Sequence, residues 1–140
     1  MNILVLGTGT GVLPMFIKTH FAKYLEKVTT VEIDAGVLLV GRDHFGFNLD
    51  NEPQIESVCA DAYEYVMGSD ASGHYDMVFV DLNYEDGESK TSPPAKFFAP
   101  EFLGKLHDMI VPEGGLIAMN SISKDAAGRR KIVQAFKALP

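Results

Sequence analysis

Three carboxylates and three glycines stand where they could do chemistry together. Glu32 in Val31-Glu32-Ile33-Asp34, Asp61 in Cys59-Ala60-Asp61-Ala62 and Asp81 in Phe79-Val80-Asp81 each end a short strand-like run. Gly7, Gly9 and Gly11 alternate directly after the apolar run Ile3 to Leu6. Alternating glycines let a chain turn sharply from strand to helix, and let a ligand approach backbone that carries no Cβ. The N–H groups and dipole of the helix that follows suit a polar or anionic ligand group. Carboxylates at the mouth of such a sheet accept hydrogen bonds from ribose hydroxyls or amines, or take a proton from a substrate.

Asp61 and Asp81 also have purely structural readings, and Glu32 has a competitor. Glu32 follows Gly11 by about 20 positions, the spacing of a ribose-binding carboxylate. Asp34 competes for that role but is better placed as a helix N-cap. Asp61 and Glu64 have the spacing of a capping box, with Asp in place of Ser or Thr. A cap and a contact with an adenine amine are compatible, because a carboxylate has two oxygens. Asp81 could hold a substrate amine or accept its proton; the alternative is a solvated strand-end acid. Tyr84, Glu85 and Asp86, just beyond it, read as surface residues.

The elements that must position these residues alternate regularly. Ile3 to Leu6 reads as a strand buried on both faces. Val12, Leu13, Phe16, Ile17, His20, Phe21 and Tyr24 recur at helical spacing, which predicts a helix packing one face on the sheet. Pro14 falls in its first turn, where a missing N–H costs little. Val28 to Ile33 is a second strand, followed by a helix that Gly46 closes in a left-handed cap. Ile55 to Ala60 is a third strand, Asp61 to Met67 a short helix and Tyr75 to Val80 a fourth strand. Asn83 to Phe98 reads as a long irregular loop, either a lid with Phe97 or Phe98 as a wall, or a plain surface loop. Pro100 to Ile110 is a helix, Gly115 to Asn120 a fifth strand and Ala126 to Leu139 a last helix. This alternation predicts an α/β doubly wound, mostly parallel sheet with helices on both faces. Residues 1–140 read as one domain, and such sheets often carry two further strands, so a C-terminal truncation fits the pattern.

Bulk properties narrow the partners. With a net charge of −7, the chain is poorly suited to nucleic-acid backbone and better matched to a basic protein surface or cationic small molecule. The single cysteine, Cys59, falls in the third strand, expected to be buried; with no disulfide framework, a reducing, cytoplasmic setting fits. No charged-then-apolar leader is expected before the first strand, and no apolar run approaches the ~20 residues of a membrane span. The four histidines are scattered, so no metal site is expected. Neither a phosphate-binding Gly-x-x-x-x-Gly-Lys-Ser/Thr loop nor a Gly-x-Ser-x-Gly elbow is present. Arg129, Arg130 and Lys131 read as a solvated helix face.

The glycine spacing separates cofactor types. A dinucleotide fingerprint wants a third glycine where this chain has Val12. Gly7-x-Gly9-x-Gly11 with Glu32, Asp61 and Asp81 instead resembles the class I S-adenosylmethionine-dependent methyltransferases. The resemblance implies a Rossmann-like fold and S-adenosyl-L-methionine as cofactor. The glycine loop (Gly7, Gly9, Gly11) would face the methionine end, Glu32 the ribose and Asp61 the adenine.

Within that superfamily the chain resembles the spermidine-synthase-like branch, and in it methyltransferases that act on a translation elongation factor. The likeness lies in Val31 to Asp34, His44-Phe45-Gly46-Phe47, Tyr75 to Asp81, Ser92-Pro93-Pro94, Phe102-Leu103 and Pro112-Glu113-Gly114. It implies a protein or peptide amine as substrate, N-terminal or lysine; Asp81 is the candidate for orienting that amine, and the net charge of −7 leaves no direct role expected for nucleic acid. True aminopropyltransferases differ: they carry an acid where this chain has Thr10 and another where it has Tyr84. Polyamine synthesis is therefore the alternative, and a non-catalytic binding module a third reading. A homo-oligomer is compatible with each.

Overall fold

The structure is a computed structural model that describes residues 1–48, 52–83 and 91–139. Its centre is a five-stranded, all-parallel sheet in the order Ile55–Cys59, Lys27–Glu32, Asn2–Leu6, Met77–Val80 and Leu116–Met119. The elements in chain order are β1 (Asn2–Leu6), α1 (Val12–Phe21), β2 (Lys27–Glu32), α2 (Ala35–Phe45), β3 (Ile55–Cys59), α3 (Ala62–Met67) and β4 (Met77–Val80). Then come β5 (Thr91–Ser92), a 3-10 turn (Ala95–Phe98), α4 (Pro100–Met109), β6 (Leu116–Met119), β7 (Ile122–Ser123) and α5 (Ala126–Lys137).

Strand β1 is the middle strand, and its side chains alternate between two cores. Leu4 and Leu6 join Val31, Val78 and Val80 beneath Phe102, Leu103, Leu106 and Met109 of α4 and Val66 of α3. Ile3 and Val5 join Val28, Ile55, Ile17 of α1 and Phe47 on the opposite face. Burial on both faces is why β1 is a continuous apolar run. On the first face, the Tyr65 and Tyr75 hydroxyls lie 3.4 Å apart. Burial, then that neighbouring hydroxyl, push the Tyr65 phenol well above its ordinary range.

Sequence expectation and structure part at several places. Cys59 is exposed, not buried, because β3 is an edge strand of the sheet. The fourth strand begins at Met77; Tyr75 makes only an isolated parallel bridge to Ile110, which is extended and lies past the end of α4. Strand β6 is shorter at both ends than Gly115 to Asn120, and α5 stops at Lys137. The apolar stripe of α1 is not all core: Pro14 and Ile17 are buried, whereas Val12 is 65% and Phe16 53% exposed. The expected irregular loop ends in structure, since Thr91–Ser92 pairs antiparallel with Ile122–Ser123. Two-residue strands have no period to read, so the local sequence marks neither of them. Tyr84, Glu85 and Asp86 lie outside the described residues.

Candidate functional site

The strand ends and the glycine loop border one cleft of about 950 Å³. That is at the upper end of the ~300–1,000 Å³ typical of small-molecule sites. The loop is held by main chain: Gly7 and Thr8 N–H both donate to the Val31 carbonyl, at 2.9 and 3.2 Å. All three glycines have positive φ (92°, 55° and 87°), where a Cβ is unfavourable.

The three glycines serve different ends. A Cβ on Gly7 would lie 2.2 Å from the Asp81 carbonyl oxygen, so glycine here lets the end of β4 close against the loop. A Cβ on Gly9 would meet nothing within 4 Å, so this residue faces open cleft. Gly11 stands apart: it does not line the cleft, and a Cβ there would collide with the Phe47 ring at 2.2 Å.

The acids fall where the strands end. Glu32 accepts from Gly9 N–H through Oε2 at 2.8 Å and from Asp34 N–H through Oε1 at 3.2 Å. It thereby ties the glycine loop to the start of α2 while still lining the cleft. Asp34 caps α2, accepting from Gly36 N–H at 2.7 Å. Asp61 caps α3 through Oδ1, which accepts from Tyr63 and Glu64 N–H at 2.6 and 3.4 Å. Its Oδ2 faces the Lys96 ammonium at 3.6 Å, so the capping and cleft-facing readings of Asp61 both describe the same side chain. Asp81 accepts a hydrogen bond from the Asn120 side-chain amide at 2.9 Å.

Gly7, Gly9, Glu32, Asp61 and Asp81 thus share one cleft, with an apolar wall from Val12, Phe16, Ile33 and Leu82. Phe97 lines it as well, packed edge-on against Tyr63 and Phe102. The cleft residues that the sequence hid are Lys96 and the exposed part of α1. Lys96 lies over the Tyr63 ring at 4.7 Å. Nothing in its local sequence marks it, because Asp61 and Tyr63, which it faces in the cleft, lie far from it in the chain.

These groups fit a nucleoside with a cationic tail. Carboxylates at three strand ends can accept from ribose hydroxyls, an adenine amine and an ammonium, and the apolar wall suits a purine face. Thr8, in the loop, lines the cleft, and its buried hydroxyl has no hydrogen-bond partner among the described residues. Such a group is costly to leave unpaired.

A parallel sheet whose glycine loop and strand-end carboxylates enclose such a cleft defines a Rossmann-like protein of the nucleoside-cofactor type. The chain belongs to the spermine/spermidine synthase domain family, which it matches over residues 1–137. It is 32% identical over 143 residues to the eEF1A lysine and N-terminal methyltransferase of Bos taurus and 31% identical over 144 residues to that of Homo sapiens. Each match covers 99% of this chain and 20% of the relative, so the chain spans about a fifth of their length. The crystal structure of human methyltransferase-like protein 13 in complex with SAH superposes with a TM-score of 0.88 and 29% identity, over 99% of this chain and 62% of that one. A probable spermidine synthase from Corynebacterium glutamicum shares the fold, with a TM-score of 0.74 at 22% identity, over 97% of this chain and 44% of that one. The chain therefore has an S-adenosylmethionine-dependent methyltransferase fold and is a distant homologue of an eEF1A methyltransferase.

Proposed function

We propose that this chain is an S-adenosylmethionine-dependent methyltransferase domain that acts on a protein amine, an N-terminal amine or a lysine of a translation elongation factor. The observation that carries this reading is that Asp81 and the glycine loop are locked together at one cleft, Gly7 lying directly against the Asp81 main chain. Gly9, Glu32 and Asp61 would hold the cofactor, with Asp81 at the acceptor side. S-adenosylmethionine supplies a methyl group already activated on a sulfonium, so what the protein must add is alignment and exclusion of water.

The amine must be uncharged when its nitrogen forms the new C–N bond and the methyl–sulfur bond breaks, leaving S-adenosylhomocysteine. A terminal amine, with an ordinary pKa near ~7.7–8.0, reaches that state far more readily than lysine at ~10.4. Asp81 orients the amine and takes up the proton that it sheds, directly or through a water. Thr10 lines the cleft where aminopropyltransferases carry an acid, which favours methyl transfer over polyamine synthesis.

The test uses the purified chain with labelled S-adenosylmethionine and recombinant eEF1A, with sites mapped by mass spectrometry. Decarboxylated S-adenosylmethionine with putrescine serves as the competing pair. Label on an eEF1A amine, lost by roughly a hundredfold in Asp81→Ala with S-adenosylhomocysteine affinity kept, supports the reading. Aminopropyl transfer instead, or full turnover by Asp81→Ala, overturns it.

A further inference from the structure

Asn120 is the first residue beyond β6, and its side-chain amide donates to Asp81 Oδ1 at 2.9 Å. The sheet register sets this up. Val80 pairs with Met119, and Asn120 N–H continues the ladder onto the Val80 carbonyl at 2.9 Å. The next residue on each strand is then Asp81 and Asn120, side by side. The Asp81 main chain is already fixed from the β1 side, because its N–H donates to the Leu6 carbonyl at 2.8 Å and its own carbonyl abuts Gly7. What remains free is the carboxylate, which is exposed and would otherwise sample several rotamers.

We propose that Asn120 is a positioning residue for methyl transfer, holding the Asp81 carboxylate in one orientation so that Oδ2 meets the incoming amine. The inference rests on the reading of Asp81 given above. A neutral amide suits this role, since it donates to the carboxylate without neutralising it, whereas a lysine or arginine there would compete with the amine for the same charge. The chain beyond Asn120 strengthens the arrangement. Residues 122–123 form β7, which pairs with β5, and Ser92 of β5 donates through its hydroxyl to the Leu82 carbonyl at 3.3 Å. The segments leaving Asp81 and Asn120 are thus joined again a few residues later, which keeps the two side chains in register.

Two substitutions in the whole chain test this. N120A removes the donor; N120D keeps the shape but sets a second carboxylate against Asp81, which disfavours the charged pair. Both are measured for methyl transfer to eEF1A, for the KM of S-adenosylmethionine, for S-adenosylhomocysteine affinity by calorimetry and for thermal unfolding. The expected result is a kcat lowered about tenfold in N120A and at least as much in N120D. Cofactor KM, S-adenosylhomocysteine affinity and melting temperature stay as in the parent chain. Unchanged kcat in both variants overturns the proposal. So does a loss of cofactor binding in step with kcat, which would make Asn120 part of the cofactor site or the fold. A parent chain that binds S-adenosylhomocysteine but methylates no amine brings down the assignment of Asp81, and this inference with it.

Discussion

At the glycine-loop end of the cleft, main chain and buried strands set the geometry. Gly7 and Thr8 are bonded to Val31, Gly9 to Glu32, and every residue of β1 from Ile3 to Leu6 is buried. At the Asp81 end, the parts are side chains and short elements: an amide–carboxylate contact, a two-residue ribbon and a strand, β6, none of whose residues is fully buried. Helix α5 beyond it has no fully buried residue, although Ala135 and Phe136 pack against the core. A cofactor shared across many enzymes can be met by backbone, which sequence change cannot remove. On the function proposed above, an acceptor that differs between enzymes is better met by side chains on shallow elements, which change at little cost to the fold.

Substitutions can break or sharpen that contrast. The largest loss is expected at Gly7→Ala, where a Cβ would enter main chain at 2.2 Å and the φ of 92° is unfavourable as well. Strain and overpacking together should destabilise by about 2–5 kcal/mol, seen as a lower melting temperature together with lost S-adenosylhomocysteine binding. Glu32→Gln should cost less. It keeps one oxygen for Gly9 N–H but loses the charge that strengthens the bond and serves a ribose. About 1–2 kcal/mol of stability and roughly tenfold in S-adenosylhomocysteine affinity should go, measured by denaturant titration and calorimetry. Val133→Ser on α5, where the valine is 54% exposed, should change stability by no more than about 0.5 kcal/mol. A drop of several kcal/mol there would show that the far end of the molecule is as tightly built as the near end, and the contrast would fail.

The same division runs through what the sequence makes legible. The strong signals are those with a local cause: the buried run of β1, the alternating glycines, and the acids at the ends of β2, β3 and β4. Asp61 is legible as a cap because its bonding partners, Tyr63 and Glu64, are two and three residues away. Sequence misleads where local pattern and global position disagree. Cys59 sits in an apolar-looking strand, yet that strand lies at the sheet edge. Phe16 has helical spacing with the core residues of α1, yet it walls the cleft.

By itself, then, the sequence determined the alternation of the five main strands with their helices, the parallel sheet, and the glycine loop and strand-end acids, of which Gly7, Gly9, Glu32, Asp61 and Asp81 border the cleft. Each of those follows from periodicity, turn chemistry or spacing along the chain. Only the tertiary structure decided that Gly11 serves Phe47 and not the cleft, that Lys96 answers Asp61, and that Asn120 holds Asp81. These are meetings between residues far apart in the chain, brought together by strand register and helix packing. A hydrogen bond or steric contact depends on separation in space, and sequence spacing reports that only within a single element.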